Sequence, residues 1–258
     1  YYFVYAYYFV YAYYFVYAYI YIYMGKLEAQ LIADINVLSK YIETQTKGGG
    51  DTSAHYYESD ANQFIKSAIQ KIRCSTSIYD SIMETWGDGR RMSHVIEMNE
   101  MYSSRLRGVG GDAGSDAVFQ VNHIDGPFGF LPYLTMIRLI VTLYNETNIK
   151  TNINGRVVQC GAGEFLAHDY NRDLHYIFGE QETDQVRYVL KLHYVLYPDW
   201  MPHFFVDAYK CGNVFWNSAA RKLFVFTLNP TTPVESFASW VLNLVTLLVG
   251  MMVGVFRR

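Results

Sequence analysis

His123 and Asp125 are a pair of residues whose types and spacing suggest chemistry. Side chains two residues apart on a strand point to the same face, so an imidazole and a carboxylate would lie side by side. His175 stands 50 residues beyond Asp125 and could supply a second imidazole. Two histidines and one carboxylate that leave open positions suit a non-haem Fe(II) ion that activates oxygen. The His-X-Asp tripeptide alone is a weak signal, because chance often supplies it.

Arg187 is the candidate for binding an anion. It lies 12 residues beyond His175 and begins the β-rich run RYVLKLHYVLYP. A fixed guanidinium can form two parallel hydrogen bonds to a carboxylate, so Arg187 could hold a dicarboxylate cosubstrate. The plainer interpretation is a surface ion pair with Glu182 or Asp184, which would contribute little to stability. His193 shares a strand face with Arg187 and could line the pocket or simply pair across the sheet.

Each candidate ligand also has a plainer interpretation. His123 could be an ordinary surface histidine at the end of a strand, and His175 an ordinary core or surface histidine. Asp125 begins Asp-Gly-Pro, which is strong turn chemistry by itself. His168, followed by Asp169, is a competing ligand, and we rank it below His175 because its spacing to the following arginine is longer, at 19 residues.

The elements that must position these residues follow from the apolar periodicity. Helical spacing predicts helices over 26–45 and 59–73, and a third is expected over 93–106. Further along the chain, short β-rich runs are separated by turn residues at the spacing of a sandwich or barrel. These runs cover 117–123, 136–144, 155–160, 164–170, 174–179, 186–197 and 222–228. The pattern predicts an α+β fold with helices packed on one side of a β-core.

The distribution of charge predicts the domain boundaries. Residues 24–235 hold all 24 acids and all but two of the 21 bases, which gives 19 minus 24, a net charge of −5. We interpret 24–235 as one domain, helical over 24–107 and with its β-core over 117–228. A pI of 6.2 argues against a nucleic-acid partner. Three cysteines without a CxxC motif form neither a disulfide framework nor a thiolate zinc site.

The two ends of the chain carry few charges. Residues 1–23 repeat YYFVYA three times and are interpreted as low-complexity sequence outside the fold, with a membrane anchor or an aggregation-prone strand as alternatives. Residues 237–256 contain no charge and match the thickness of a bilayer core, so 236–258 is predicted to be a transmembrane anchor. Gly250 and Gly254 form a GxxxG motif that could pair two copies in a homodimer. This anchor predicts a single-pass membrane protein. The sequence leaves open on which side of the membrane the domain lies.

The stretch 117–200 resembles the double-stranded β-helix, or jelly roll, of Fe(II)/2-oxoglutarate-dependent dioxygenases. His-X-Asp, a strand with an arginine, a glycine before a strand, a distal histidine and a second arginine occur in the same order. The segments DGPFGFLPYLTMIRLIVTL, GEFLAHDYNRDLHYI and DQVRYVLKLHYVLYPDW are most similar to the aspartyl/asparaginyl β-hydroxylases. That branch often has glycine in place of the carboxylate ligand, whereas this chain has Asp125.

The resemblance implies a role for each candidate residue. His123, Asp125 and His175 would form the catalytic Fe(II) centre. The far carboxylate of 2-oxoglutarate would bind Arg187, and Arg138 or Tyr144 could assist. The reaction would couple decarboxylation of 2-oxoglutarate to succinate with hydroxylation of a C–H bond. The substrate expected from the branch is a protein side chain, and a small molecule or a lipid is the alternative.

Two other functions remain open at this point. One is a non-catalytic, membrane-anchored β-sandwich that binds another protein, since fold alone does not confer activity. The other starts from VVQCGAGE (157–164), which resembles the glycine-rich turn of S-adenosylmethionine-dependent methyltransferases. That turn requires a strand before it and a helix after it, and here β-rich runs follow instead.

Overall fold

The computed structural model describes residues 23–46, 54–104, 122–179 and 185–228, together with 232–234, 236–237 and 240–241. The chain divides into two compact units, one formed by Tyr21–Asn217 and the other by Tyr1–Ile20 with Ser218–Arg258. The sheets and the site described below belong to Tyr21–Asn217.

Three helices lie in the first part of the chain: α1 (Ile32–Thr46), α2 (Gln63–Arg73) and α3 (Thr76–Trp86). Asn62 caps α2, since its side chain accepts a hydrogen bond from the backbone N–H of Ile65 at 3.0 Å. The helices predicted over 26–45 and 59–73 are present, although they begin later, whereas α3 was not predicted. Their apolar stripes are buried in one cluster that includes Ile35, Leu38, Ile42, Ile65, Ile69, Ile72, Ile78 and Ile82.

Short 3-10 segments and a fourth helix are also present among the described residues. The 3-10 segments are Ala29–Leu31, Glu58–Asp60, Ile96–Met98 and Phe128–Phe130. The fourth helix, α4 (His203–Leu228), follows the last strand and is 26 residues long.

Glu28 caps the start of α3 from a distance. Its carboxylate accepts hydrogen bonds from the Ser75 hydroxyl at 2.6 Å and from the Ser77 backbone N–H at 2.9 Å. Burial alone would raise the pKa of Glu28, but these hydrogen bonds outweigh it and lower the pKa from 4.5 to about 2. The capping carboxylate therefore stabilises the folded state in its ionised form.

We expect this capping contribution to depend on pH. A carboxyl pKa that is lower in the folded state stabilises fully above the unfolded value, and this stabilisation is lost as the pH falls from 4.5 toward 2. Glu28→Gln should therefore reduce the melting temperature at pH 6, and the difference from wild type should shrink as the pH approaches 2. Thermal unfolding followed by circular dichroism measures it. A difference that stays constant over this pH range would contradict the assignment.

The described residues form ten strands. In chain order these are β1 (Tyr23–Lys26), β2 (Ala54–Tyr57), β3 (Arg90–His94), β4 (Glu100–Ser104), β5 (Thr135–Asn145), β6 (Lys150–Ile153), β7 (Arg156–Val158), β8 (Glu164–Asp169), β9 (His175–Phe178) and β10 (Arg187–Pro198). Seven of them make one sheet in the order β1-β8-β5-β10-β4-β2, with β3 paired to β10. The other three make a second sheet in the order β7-β6-β9. Every pairing between these strands is antiparallel.

The larger sheet has an apolar face and a polar face. Along β10, Leu190 and Leu192 belong to the cluster that buries the helical stripes. Arg187 and His193 occupy alternate positions on the same strand, so their side chains point to the opposite face. Both faces of β10 are buried, and one is apolar whereas the other carries the polar side chains of Arg187 and His193.

Two predicted elements have the wrong type. The helix expected over 93–106 is instead the end of β3, a 3-10 segment and β4, because every residue of β4 is buried and both of its faces are covered. The strand expected over 222–228 lies within α4. Short apolar runs of this kind do not distinguish strand from helix by periodicity alone. Of the run 117–123, only residues 122 and 123 are described.

The glycine-rich turn at 161–163 lies between two strands. It follows β7 and leads into β8, which pairs antiparallel with β5. The helix and the parallel strands that a methyltransferase nucleotide site requires do not follow this turn. The methyltransferase interpretation therefore lacks its structural context.

The predicted fold class needs correction. The described chain is mostly antiparallel sheet with few helices, in place of an α+β fold with a C-terminal transmembrane helix. Within the described residues, no helix combines the length and the apolar character needed to cross a bilayer. Helix α4 is long enough, but it carries Asp207, Lys210 and Asn213. This finding corrects the predicted membrane anchor and single-pass membrane location; of residues 236–258, only 236–237 and 240–241 are described.

Two further predictions concern residues outside the described part. The repeat over 1–22 lies there, although Tyr23 starts β1. Gly250 and Gly254, proposed as a dimer contact, also lie there.

Candidate metal centre

The backbone brings the two candidate histidines together. His123 and His175 form an isolated antiparallel bridge, with N–O distances of 3.0 and 2.9 Å in the two directions. Directly opposed residues in such a bridge have neighbouring side chains, and the two imidazole centroids are 4.4 Å apart. His175 is also the first residue of β9, which places it at the edge of the smaller sheet.

Asp125 completes a cluster of three possible metal ligands. Its Oδ1 lies 3.7 Å from His123 Nε2, and its Oδ2 lies 3.3 Å from His175 Nε2. One ligand atom from each of the three residues lies within 4.8 Å of the other two. Both imidazoles are buried, and the Asp125 side chain is 10% exposed. The cluster could hold a metal ion.

The hydrogen bond of His175 settles which of its nitrogens faces the cluster as an acceptor. Nδ1 lies 3.1 Å from the main-chain oxygen of Asp173, and a carbonyl oxygen can only accept, so Nδ1 donates. Burial lowers the pKa of His175 well below its ordinary value, so the ring is neutral near pH 7. Nε2 then carries a lone pair directed at Asp125, which is the tautomer required of a metal ligand.

Asp125 is ionised in this setting. Burial alone would raise its pKa, but the charge of Arg138 and the imidazoles of His175 and His123 hold the pKa well below its usual range. A carboxylate oxygen and a neutral imidazole nitrogen, both acceptors, therefore face each other at 3.3 Å. A cation beside the Asp125 carboxylate and the His175 nitrogen would be attracted by both groups, so this donor set fits a divalent metal ion.

Arg138, a residue of the larger sheet, contacts Asp125 of the cluster. It lies on β5, where its register partners are His168 on β8 and His193 on β10. Its Nη1 donates to Asp125 Oδ2 at 2.6 Å, and its Nε donates to His193 Nε2 at 3.0 Å. The guanidinium carbon stands 4.6 Å from the centre of the Tyr170 ring.

His168, the competing ligand, borders the cluster. Its Nε2 lies 3.8 Å from Asp125 Oδ2, and its ring centroid lies 4.7 Å from that of His175. Neither of its ring nitrogens forms a hydrogen bond within the described part of the chain. Asp169, its proposed companion, instead pairs with Arg172 at 2.6 Å. The group of three that satisfies ligand spacing does not include His168.

Arg187 is a buried cation with no acidic partner among the residues that the structure describes. It is 7% exposed, and across the described ranges it forms neither an ion pair nor a side-chain hydrogen bond. Burial lowers its pKa, and the nearby Tyr102 and Cys160 oppose that shift. Glu182 and Asp184, the surface partners considered from the sequence, lie outside the described residues. A buried guanidinium of this kind could bind an anion.

A small apolar cluster lies between the two sheets and reaches both ends of the site. It contains Ile153, Val158, Cys160 and Leu166, with Ile140 packed against it. Ile153 is the register partner of His175, and Cys160 is close enough to Arg187 to influence its pKa. This cluster could cover the methylene groups of a ligand that extends from the histidines to Arg187.

Tyr144 does not join these residues. It is 39% exposed, its hydroxyl donates to Glu146, and its ring lies against Tyr188. A register shift in β10 at Tyr188 and Val189 accompanies this orientation. The structure gives it no contact with the cluster of possible ligands.

Three contacts in the site were missed from the sequence. Trp216 donates from Nε1 to the main-chain oxygen of Asp125 at 3.0 Å, Tyr170 lies beneath Arg138, and His193 accepts from Arg138. The position of His193 on the Arg187 face was a usable signal. Trp216 lies 91 residues from Asp125, and no local pattern indicates its role.

The chain was compared with known proteins. No family model matches it, and a search of curated proteins finds no significant match. The fold is similar to the epimerase SnoN in complex with Fe3+, alpha ketoglutarate and nogalamycin RO, at 13% identity and a TM-score of 0.46 over 71% of this chain and 83% of that one. It is also similar to the ThoJ-Ni complex, a non-heme monooxygenase, at 14% identity and 0.42 over 79% and 93%.

A prolyl-4-hydroxylase from Pseudomonas putida is a further match, at 10% identity and a TM-score of 0.40 over 69% of this chain and 92% of that one. The three residues predicted to hold iron form the His-Asp-His cluster described above. Because these similarities are distant, the function proposed below rests on the geometry of the site.

Proposed function

We propose that this chain is an Fe(II)- and 2-oxoglutarate-dependent oxygenase that hydroxylates its substrate. One observation carries the proposal: the His175 imidazole and the Asp125 carboxylate, both acceptors, approach to 3.3 Å beside His123, and one ligand atom from each of the three lies within 4.8 Å of the others. Two imidazoles and one carboxylate are the ligand set of non-haem Fe(II) sites that keep open positions for other reactants.

The three residues His123, Asp125 and His175 would hold the iron. When bound, the iron supplies the redox chemistry that couples oxygen and 2-oxoglutarate to oxidation of a C–H bond. The protein contributes the rest. Asp173 orients the His175 ring through its main-chain oxygen, and the buried surroundings of both histidines keep water out of the site.

Arg187 would hold the far carboxylate of 2-oxoglutarate. The guanidinium is buried and has no acidic partner among the described residues, so a carboxylate that reaches it gains a bidentate, charge-assisted contact. The apolar cluster around Ile153 and Leu166 would cover the carbon chain between the two carboxylates. A dicarboxylate thus fits this arrangement: one carboxylate would meet the charge of Arg187, the carbon chain would lie against the apolar cluster, and the other end would reach the metal held by the three ligands.

The substrate is assigned by resemblance alone. A protein side chain remains our prediction, since the sequence most resembles aspartyl/asparaginyl β-hydroxylases. A small molecule is the second candidate. A non-catalytic binding module of the same fold is the third, and it would not require the paired acceptors at the cluster.

The test is conversion of 2-oxoglutarate to succinate by the full chain. Reactions with Fe(II), oxygen and either peptides that contain Asp or Asn or a panel of small molecules should form succinate, and a chelator should stop it. Mass spectrometry of the same reactions should show a gain of one oxygen in the true substrate. A chain that binds no divalent metal and forms no succinate would be a binding module and would refute the proposal.

We expect Arg187→Met to raise the KM for 2-oxoglutarate by about 100-fold, because truncating one partner of a buried charge pair costs 2–5 kcal/mol. The KM for the hydroxylated substrate should change little. Steady-state kinetics with each reactant varied in turn measures both values. Arg156→Met, which removes an exposed arginine of β7, is the matched control. Equal affinity for 2-oxoglutarate in wild type and Arg187→Met would reject this role for Arg187.

A further inference from the structure

Arg138 is held by three groups at the candidate metal centre. It donates to Asp125 Oδ2 at 2.6 Å and to His193 Nε2 at 3.0 Å, and it lies over the ring of Tyr170. The residue is 5% exposed, so its charge stays inside the site. His193 is itself fixed, because its backbone N–H donates to the Asn99 side chain at 2.9 Å.

Asp125 presents both of its carboxylate oxygens to the imidazoles. Oδ1 is 3.7 Å from His123 Nε2, and Oδ2 is 3.3 Å from His175 Nε2. A carboxylate placed in this way can bind a metal ion through one oxygen or through both. Arg138 contacts Oδ2 alone, while Trp216 fixes the main chain of Asp125 from the other side. The two oxygens are therefore not equivalent.

We propose that Arg138 is a positioning residue that makes Asp125 a one-oxygen ligand, so that Oδ2 stays on the guanidinium and Oδ1 is left for the metal. The inference rests on the proposed function. An octahedral ion held by three protein atoms keeps three open positions, and a carboxylate that binds through both oxygens would occupy one of them. This role differs from the contact with 2-oxoglutarate that the sequence suggested for Arg138.

The charge of Arg138 has a second consequence. A buried cation next to a ligand of a divalent metal repels that metal, and this repulsion is strong where water is excluded. Arg138 should therefore lower the affinity for the metal while it preserves open coordination positions. A residue that only supported the fold would have the opposite effect, since its loss would loosen the ligands and weaken metal binding.

The test compares Co2+ binding and turnover in wild type and Arg138→Met. The variant should bind Co2+ at least about tenfold more tightly, because the repulsion is removed. Its Co2+-induced infrared difference spectrum should show a smaller separation of the two carboxylate stretches, as expected when both oxygens bind. Iron-dependent succinate formation should fall in the same variant, because an open position is lost.

Arg138→Gln provides a second variant if the methionine variant does not fold. Glutamine is neutral but can still donate to Oδ2, so it should bind Co2+ more tightly than wild type while the carboxylate stretches stay as in wild type. The matched control is Arg91→Met, which removes the arginine of an exposed pair with Asp199 and should leave Co2+ affinity unchanged.

Three outcomes would overturn the inference, and each has a different meaning. Unchanged or weaker Co2+ binding in both Arg138 variants, with wild type active, rejects the positioning role and leaves the proposed function intact. A loss of 2-oxoglutarate affinity with unchanged Co2+ affinity assigns Arg138 to the cosubstrate instead. Failure of wild type to bind Co2+ at all rejects the proposed function together with this inference.

Discussion

The His175→Ala variant is expected to lose metal binding and iron-dependent turnover together. His175 presents a neutral Nε2 to Asp125 from a buried position, and nothing else on β9 can replace that nitrogen. Loss of a residue that hydrogen-bonds to a metal ligand typically lowers metal affinity by about 10- to 100-fold, and removing the ligand itself should cost more. Titration with Co2+ or Fe(II) and the succinate assay measure the two losses on the same protein.

His203→Ala is the matched control for this prediction. His203 is an exposed residue at the start of α4, so its removal should leave both metal affinity and turnover at wild-type values. The fold of His175→Ala should persist, because its backbone bridge to His123 does not depend on the side chain. Circular dichroism checks this. A folded His175→Ala protein with full activity would show that the iron ligand lies elsewhere, with His168 the first residue to examine.

The largest loss of stability is expected for Glu58→Ala. Arg73 Nη1 donates to both carboxylate oxygens of Glu58, at 2.7 and 2.9 Å, and the Asn99 amide donates to one of them at 2.8 Å. Both charged side chains are almost fully buried. Removing one partner leaves the other charge buried and uncompensated, so the free energy of unfolding should fall by about 3–5 kcal/mol. Urea denaturation measures the change.

An exposed ion pair serves as the control for the stability loss expected at the buried Glu58 pair. Lys71 pairs with Asp34 at 2.9 Å, and the lysine side chain is 59% exposed. Lys71→Met should therefore change the free energy of unfolding by no more than about 1 kcal/mol. The double variant Glu58→Leu with Arg73→Met should recover much of the stability lost in Glu58→Ala, because it leaves no buried charge. Equal losses for Glu58→Ala and Lys71→Met would show that burial does not set the cost.

Local sequence patterns were informative where one physical effect dominates. The stripes of α1 and α2 were found because amphipathic periodicity reports directly on which face is buried. The runs of β5, β8 and β10 were found because they are rich in β-branched and aromatic residues and are separated by turn residues. The segment 93–106 was misread because β4 is buried on both faces and therefore has no period of two. The transmembrane prediction over 236–258 rested on hydropathy of that segment alone, which takes no account of the rest of the chain.

At the candidate site, too, some features could be predicted from the sequence and others could not. The order of His123, Asp125, His175 and Arg187 was legible in the sequence, because ligand chemistry depends on residue type and strand geometry sets the His-X-Asp spacing. The sequence could not distinguish the far Arg138 contact from a cosubstrate contact, and it placed Tyr144 near residues that it does not touch. The orientation of Tyr144 accompanies a register shift between β5 and β10, and the Arg138 contact depends on the pairing of strands that are far apart in sequence.

By itself, the amino-acid sequence determined which side chains were available for metal and anion binding, and in what order, since these properties belong to residue types and to short-range geometry. Only the tertiary structure decided that His123 and His175 share a bridge, that Arg138 lies on Asp125 and that Arg187 is buried without an acidic partner in the described ranges. The physical reason is that these relations arise from strand pairing between distant segments. One residue of register moves a side chain to the other face of a sheet.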